Sequence, residues 1–242
     1  MSAVRYAAVT YRYANAAKAS VCEVDLRIEA GERVALVGAN GAGKTTLLLL
    51  ATGLLAATSG HVEIAGVTVS RGTLRDVRRR LSLVFADPDD QLFCTSAIDE
   101  VMFTPLHSGA SAADARERAM TALKAVGLED RAEREPLTLS LGEKKRLALA
   151  TTIASGSEVW LLDEPTSGLD PRARKQFIAH LAAHPHTMLF ATHDLDAALA
   201  LGARVVLLDG GRVVGDGPAE RVLADAELLH AHGLELPLSK GG

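Results

Sequence analysis

The feature that most constrains this chain is a glycine-rich loop between an apolar run and a helical segment. The apolar run at 34–37 predicts a buried strand, and the segment 44–55 predicts a helix. The residues that join them, 38–45, have the sequence GANGAGKT, which matches a phosphate-binding P-loop. In such a loop, glycines let backbone N–H groups surround phosphate oxygens, and the helix N-terminus adds positive potential. The sequence therefore predicts a nucleotide-binding P-loop fold.

Three side chains at the end of this loop have predicted roles with a bound nucleotide. Lys44 is expected to reach the β- and γ-phosphates, Thr45 to offer its hydroxyl to Mg²⁺, and Thr46 to contact the α-phosphate. Lys44 therefore also belongs to the predicted catalytic residues. The nucleotide-binding residues predicted in the loop are Gly38, Asn40, Gly41, Ala42, Gly43, Lys44, Thr45 and Thr46.

A second apolar run, at 159–162, is followed directly by two carboxylates, Asp163 and Glu164. A P-loop hydrolase needs an acidic residue near its metal, and a carboxylate at the end of a buried strand supplies it. Asp163 is therefore predicted to hold Mg²⁺ together with Thr45. Glu164, on the opposite face of the strand, is predicted to orient and deprotonate the attacking water. These residues predict nucleotide hydrolysis and leave a kinase, a GTPase and a motor protein open.

The remaining sequence alternates between strand and helix patterns. Such alternation predicts an α/β fold in which helices join parallel strands, with ligands at the carboxyl ends of the strands. The segment 104–136 differs, because its apolar residues have helical spacing over 111–126. We therefore predict a helical insert at 104–136 within a single domain that covers 1–242.

The charge balance and apolar pattern exclude some classes of partner. The chain has 26 Lys and Arg against 30 Asp and Glu, a net charge of −4, and so lacks the basic excess that nucleic-acid backbones require. Its longest apolar stretch, 47–57, is shorter than the roughly 20 residues that span a bilayer. We expect no nucleic-acid partner and no membrane-crossing segment.

Three further motifs decide among the kinds of nucleotide hydrolase. The segment 139–146 has the sequence LSLGEKKR, the segment 163–170 has the sequence DEPTSGLD, and His193 follows the predicted strand at 187–192. Together with the P-loop, these motifs resemble the ATP-binding-cassette (ABC) family over nearly the whole chain. The resemblance implies an ATPase with a P-loop NTPase core, an N-terminal antiparallel β part and an inserted α-helical subdomain. It also implies that two such subunits close head to tail over two ATP molecules with Mg²⁺.

The resemblance implies roles for five more residues. Ser140 and Gly142 match the signature loop, which caps the ATP held by the other subunit. His193 matches the switch histidine, a catalytic residue that contacts the γ-phosphate. Asp170 matches the D-loop aspartate, and Tyr13 matches the aromatic residue that stacks on adenine. These residues complete the predicted site.

Several of these matches also fit simpler structural roles. Ser140 and Asp170 both fit ordinary helix N-caps, and locally the two interpretations of Ser140 are indistinguishable. Tyr6 and Tyr11 are rivals of Tyr13 for the adenine contact. Strand alternation places Tyr11 and Tyr13 on one face of an expected edge strand, so only the resemblance favours Tyr13.

The chain departs from the ABC pattern at three positions. Ala86 stands where most members have a glutamine that senses the metal and the attacking water, so we hypothesise that Asp87, Gln91 or water takes its place. Leu141 stands in place of a signature glycine, and Glu143 in place of a glutamine. The Glu143 carboxylate is unfavourable near a γ-phosphate unless it folds back as the partner of Ser140 in a capping box.

The segment 85–93, with the sequence FADPDDQLF, and the basic residues 144–146 are similar to energy-coupling-factor importers, especially those for cobalt and nickel. This resemblance implies a bacterial-type subunit at the cytoplasmic face of the cell membrane. Its implied partners are a second cassette subunit, with a homodimer favoured, a membrane-embedded coupling protein and a substrate-binding membrane subunit. An importer of a vitamin such as biotin, a soluble non-transport ABC ATPase and a small-molecule P-loop kinase are the alternatives.

Overall fold

A computed structural model describes residues 2–240, and residues 1, 241 and 242 of the predicted domain lie outside the described residues. The strands are β1 (Ser2–Tyr11), β2 (Val21–Glu29), β3 (Arg33–Val37), β4 (Ser59–Ile64), β5 (Val67–Thr68), β6 (Leu81–Val84), β7 (Val159–Asp163), β8 (Thr187–Ala191), β9 (Arg204–Asp209) and β10 (Arg212–Pro218). The α-helices are α1 (Lys44–Thr52), α2 (Leu74–Arg80), α3 (Ala97–His107), α4 (Ala112–Ala125), α5 (Leu141–Ser155), α6 (Pro171–Ala182), α7 (Leu195–Ala200), α8 (Ala219–Val222) and α9 (Ala226–Ala231). Within 2–240, none of the helices has the length and apolar character that a bilayer span needs.

The larger of two sheets has six strands in the order β10-β9-β3-β8-β7-β6. β10 pairs antiparallel with β9, and the other neighbours pair in parallel. The predicted α/β fold with a mostly parallel sheet is confirmed. Because parallel strands end at the same edge of a sheet, the loops after β3, β7 and β8 lie side by side.

The N-terminal strands form a separate antiparallel sheet in the order β2-β1-β4-β5, as the family resemblance implied. β1 pairs with both β2 and β4, so the expectation that it is an edge strand is wrong. Tyr11 is its last residue, and Tyr13 lies in the connection that follows. The alternation that put Tyr11 and Tyr13 on one face therefore stops before Tyr13.

Apolar residues cover both faces of the six-stranded sheet. Ala35 and Val37 of β3 pack in one cluster with α3, α4 and α5. Val34 and Leu36, on the other face of the same strand, pack in a second cluster with α1 and the antiparallel sheet. Each fully buried leucine contributes about 1.5–3 kcal/mol, and α1 supplies several of them. The P-loop thus joins two elements that are fixed in the core.

One predicted helix end is corrected, and a different start is proposed for the helical insert. The helix predicted over 44–55 ends at Thr52, because Gly53 adopts a left-handed φ of +70° that terminates it. Thr104, the predicted start of the helical insert, lies inside α3, which begins at Ala97. Since α3 packs on α4 and α5, we propose that the helical subdomain starts with α3.

Candidate nucleotide-binding and hydrolysis site

Two glycines of the P-loop lie against the backbone of distant segments. Gly38 has a φ of +151°, and a Cβ there would lie 2.2 Å from the carbonyl oxygen of Leu208 in β9. Gly43 has a φ of +103°, and a Cβ there would lie 2.4 Å from the carbonyl oxygen of Ser20. A side chain fits at neither position without moving backbone. The loop is therefore held between β9 and the residues just before β2.

Replacing Gly43 with alanine is expected to lower the free energy of unfolding by about 2–4 kcal/mol, from left-handed strain plus the clash with Ser20. Gly41 is the matched control, because it has a φ of +81° but no atom within 4 Å of an added Cβ. Gly41→Ala should therefore cost only the strain, about 1–2 kcal/mol. Urea unfolding followed by the fluorescence of Trp160 measures both. Equal losses in the two variants would contradict the clash.

Lys44, the first residue of α1, is 7% exposed. Its Nζ donates to the carbonyl oxygens of Gly38, at 2.7 Å, and Ala39, at 3.1 Å. Burial lowers the pKa of Lys44, while the nearby carboxylates of Glu164 and Asp163 act in the opposite direction. The ammonium group thus lies inside the loop, where it can bind phosphate oxygens.

Thr45 and Asp163 meet although they belong to different elements. The Thr45 hydroxyl donates to Asp163 Oδ1 at 3.1 Å. Burial raises the pKa of Asp163, although the hydrogen bond from Thr45 acts against this. Hydroxyl and carboxylate oxygens are ligands that Mg²⁺ prefers, and a buried carboxylate is stabilised by a cation. The two residues therefore fit the predicted metal.

Glu164 and His193, which follow two neighbouring strands, are also brought together. Nδ1 of His193 lies 2.7 Å from Glu164 Oε2, and the backbone N–H of His193 donates to the same oxygen at 3.3 Å. The His193 side chain is 63% exposed, whereas that of Glu164 is 19% exposed. The carboxylate is thereby aimed at the open edge of the sheet, where a water molecule and a phosphate have access.

A cavity of about 330 Å³ joins Lys44, Thr45, Asp163 and Glu164, whereas His193 and the predicted loop residue Gly38 do not line it. It is lined by Tyr13, Ser20, Asn40, Gly41, Ala42, Gly43, Lys44, Thr45, Thr46, Ala86, Asp163 and Glu164. The sequence predicted most of these residues, but it missed Ser20, which comes to the loop through the fold alone.

Tyr13 is the tyrosine at this cavity, and it is 41% exposed. Its hydroxyl lies 3.4 Å from Thr46 Oγ1, and its ring makes an edge contact with Tyr11 at 4.8 Å between centroids. Tyr6 is buried and donates its hydroxyl to the Leu47 carbonyl oxygen at 2.9 Å, so it is a core residue. Tyr11 supports the ring of Tyr13 and does not line the cavity.

The predicted signature and D-loop residues lie apart from the cavity. Ser140 and Glu143 form a capping box at the start of α5: the Ser140 backbone N–H donates to the Glu143 carboxylate at 2.9 Å. Hydrogen bonds from Ser140 lower the pKa of Glu143, and the carboxylate also accepts from Arg131 at 3.3 Å. Glu143 thus folds back onto its own helix. Asp170 caps α6, and Gly142 lies on the first turn of α5. None of them lines the cavity.

Ala86 lines the cavity, but the two side chains proposed to replace its missing glutamine are engaged elsewhere. Gln91 accepts from the Phe85 backbone N–H at 3.2 Å and donates to Thr151 at 3.4 Å, and it does not line the cavity. Asp87 Oδ1 accepts from the Asp89 backbone N–H at 2.9 Å and caps a short turn. The replacement of the glutamine by Asp87, Gln91 or water therefore stays a hypothesis.

Comparison with known proteins identifies the family. The sequence model of the family described as ABC transporter matches residues 21–167. The chain belongs to the ABC transporter family. Its cassette architecture and motifs are those of the ATPase subunits of that family, and its activity is ATP hydrolysis coupled to transport.

Relatives and solved structures agree with this family. The cobalt import ATP-binding protein CbiO of Rhodobacter capsulatus is 43% identical over 236 residues, which cover 96% of this chain and 84% of that protein. The solved structure of CbiO1 from Clostridium perfringens, part of the complex cbiONQ, has a TM-score of 0.84 at 30% identity. The match covers 95% of this chain and 94% of the CbiO1 chain. The solved dimeric structure of the cassette MJ0796 with ADP and Pi has a TM-score of 0.81 at 28% identity. The match covers 89% of this chain and 98% of the MJ0796 chain. Several further relatives are named as ABC transporter ATP-binding proteins without a cargo.

Proposed function

We propose that this chain is the nucleotide-binding subunit of an energy-coupling-factor importer that takes up cobalt or nickel ions. The observation that carries the proposal is the 43% identity to a cobalt import ATP-binding protein over 96% of this chain. The similarity to CbiO1, which is part of a transporter complex, supports it. In this proposal residues 1–242 form one nucleotide-binding domain, which lies at the cytoplasmic face of a bacterial-type cell membrane.

The cavity supports a mechanism in which each group has one task. The P-loop N–H groups and Lys44 bind the phosphates of ATP, and Tyr13 offers its ring to the adenine. Thr45 and Asp163 would hold Mg²⁺, which neutralises charge on the phosphates when bound. Glu164 accepts a proton from the attacking water. His193, 2.7 Å from that carboxylate, holds it in place and offers a contact to the γ-phosphate.

The remaining predicted residues support closure with a second copy of this chain. Ser140 and Asp170 are exposed, Gly142 is half-buried, and none of them lines the cavity of its own chain. A helix N-terminus such as the start of α5 offers N–H groups to an anion. The Ser140 hydroxyl donates to the Glu143 carboxylate at 2.7 Å, so it would exchange that contact for a phosphate on closure. In a head-to-tail homodimer, as the family resemblance implies, these residues would cap the partner's ATP.

An exposed apolar patch supports docking on a membrane-embedded coupling protein. The patch consists of Phe93, Phe103 and Leu106, whose exposed fractions are 66%, 37% and 40%. The rings of Phe93 and Phe103 meet edge to face, with centroids 4.9 Å apart. Buried Glu100 fixes this arrangement, because its Oε2 accepts the backbone N–H groups of Phe93 at 2.8 Å and Cys94 at 2.7 Å. The patch includes part of the 85–93 segment and the exposed side of α3.

The proposal is tested by capturing partners with the Glu164→Gln chain and Mg-ATP from detergent-solubilised native membranes. A coupling protein together with a cobalt- or nickel-binding membrane subunit supports it. A vitamin-binding subunit would retain the importer and overturn the metal cargo. Capture of only soluble factors would overturn both.

Replacing Phe93 and Phe103 with serine in the capture chain is expected to lower the recovered coupling protein at least about tenfold, because each buried ring contributes about 1.5–3 kcal/mol. In the otherwise unchanged chain, the same pair should leave basal ATPase activity within about twofold. Val214→Ser is the matched control, since Val214 is 37% exposed on β10, at the opposite edge of the sheet. Undiminished recovery with the double variant would place the docking surface elsewhere.

A further inference from the structure

Lys145, on the first turns of α5, is a lysine in an unusual environment. Only 2% of it is exposed, and lysine is seldom buried unless its ammonium group is paired. Its Nζ donates to the backbone carbonyl oxygen of Glu164 at 2.9 Å and to the Ser167 hydroxyl at 3.1 Å. The side chain therefore links α5, the helix that follows Ser140 of the signature loop, directly to the residues that follow β7.

The backbone that Lys145 contacts is strained. Glu164 has a φ of +44°, in the left-handed region that residues with a side chain rarely adopt. Its N–H donates to the Ala191 carbonyl oxygen at 2.9 Å. Its own carbonyl oxygen accepts from Lys145 Nζ, from Ser167 Oγ at 2.9 Å and from the Ser167 N–H at 3.1 Å. Strained conformations persist where the surroundings over-determine them, and here hydrogen bonds to both peptide groups do so.

We propose that Lys145 is a positioning residue for ATP hydrolysis, which holds the Glu164 backbone so that the Glu164 carboxylate faces His193 and the P-loop. This inference rests on the proposed role of Glu164 as the base. Because Lys145 belongs to the helix that carries the signature residues, a movement of that helix on closure with a second copy acts on the base through this contact.

The charges around Lys145 favour the same role. Burial lowers the pKa of Lys145 to about 8, while the carboxylates of Glu164, Asp87 and Asp163 act in the opposite direction. The ammonium group is therefore attracted to three carboxylates at once. Loss of the group would leave Glu164 with fewer contacts and the site with an excess of negative charge.

The adjacent lysine provides a matched control. Lys144 is on the same helix, but its Nζ pairs with Asp89 Oδ1 at 2.6 Å. Lys144→Met therefore removes the same charge from the same helix without touching Glu164. Its basal ATPase activity is expected to stay within about twofold of the unchanged chain.

The test compares Lys145→Met, Lys145→Gln and Ser167→Ala in the full chain. Lys145→Met is expected to lower kcat at least about tenfold and to leave the dissociation constant for ATP within about threefold. Lys145→Gln, which keeps one amide donor, should recover part of kcat. Ser167→Ala removes another donor to the same carbonyl oxygen and should lower kcat about two- to tenfold. If Lys145→Met does not fold, the activities of Lys145→Gln and Ser167→Ala test the inference.

A double-mutant cycle separates this role from a general structural one. On the Glu164→Gln background, Lys145→Met should change the single-turnover hydrolysis rate less than about twofold, because the group it positions is gone. A kcat near that of the unchanged chain for all three variants would overturn the inference, and so would an equal loss on both backgrounds. Near-normal turnover in Glu164→Gln alone would overturn the role of Glu164 and the inference with it.

Discussion

Glu164→Gln is expected to lower the ATPase rate about 10²–10⁴-fold, the usual contribution of a general base, and to leave ATP affinity unchanged. Glutamine has nearly the same shape and retains a hydrogen-bonding oxygen for His193, which lies 2.7 Å from the Glu164 carboxylate. It does not accept the proton of the attacking water. The variant should therefore bind ATP and remain as an ATP-bound dimer. Steady-state phosphate release and size-exclusion chromatography with Mg-ATP measure the two effects.

Glu158 provides the control for this prediction. It precedes β7, at the opposite end of the strand from Glu164, and its side chain is exposed. Glu158→Gln should leave both the rate and the oligomeric state unchanged. If Glu164→Gln turned over ATP at a near-normal rate, another group would be the base. A slow variant that stayed monomeric with Mg-ATP would instead contradict dimer closure.

The P-loop and the Asp163–Glu164 pair could be predicted because their geometry is set locally. An apolar strand, a glycine turn and a helix start are adjacent in sequence, and each has its own pattern. Strands β3, β7, β8 and β9 of the six-stranded sheet could also be predicted, because each contains a short, continuous run of apolar residues. The positions of these residues then follow from the rule that parallel strands end at one edge.

Contacts between distant segments could not be predicted in this way. Ser20 reaches the P-loop because β2 and β10 pack together, and no local pattern marks it. Lys145 lies in the segment LSLGEKKR, but its contact with Glu164 depends on how α5 packs against the six-stranded sheet. Tyr6 is buried within β1, whereas Tyr13 is exposed in the connection after it, and a strand pattern alone does not assign this difference.

The predicted start of the helical insert, Thr104, differs from the start that we propose, at α3, for a specific reason. Pro105 lies inside α3, where proline removes one backbone donor and usually marks a break. The start of α3 has a local pattern of its own: Ser96 caps the helix by accepting the Asp99 backbone N–H at 3.2 Å. In this case buried α3 side chains outweigh the loss of one hydrogen bond.

Lys44→Met is expected to weaken ATP binding about 10–100-fold, because hydrogen bonds to a charged group contribute about 1.5–3 kcal/mol. It should also lower the hydrolysis rate at saturating ATP about 10²–10³-fold, since a cation at the phosphates stabilises charge that develops in the transition state. Methionine has a similar length, so it fills the loop without donating to the Gly38 and Ala39 carbonyl oxygens. Calorimetric titration with a non-hydrolysable ATP analogue measures the affinity, and phosphate release measures the rate.

Lys124, exposed on α4, is the control for this prediction, and Lys124→Met should change neither quantity. The two effects of Lys44→Met separate its two tasks. A loss of affinity alone would mean that the ammonium group binds ground state and transition state equally. A loss of rate alone would mean that the backbone N–H groups of the loop supply ground-state binding by themselves. If neither changed, phosphate would not lie in the cavity that the P-loop forms with Asp163 and Glu164, and the mechanism proposed for this chain would be wrong.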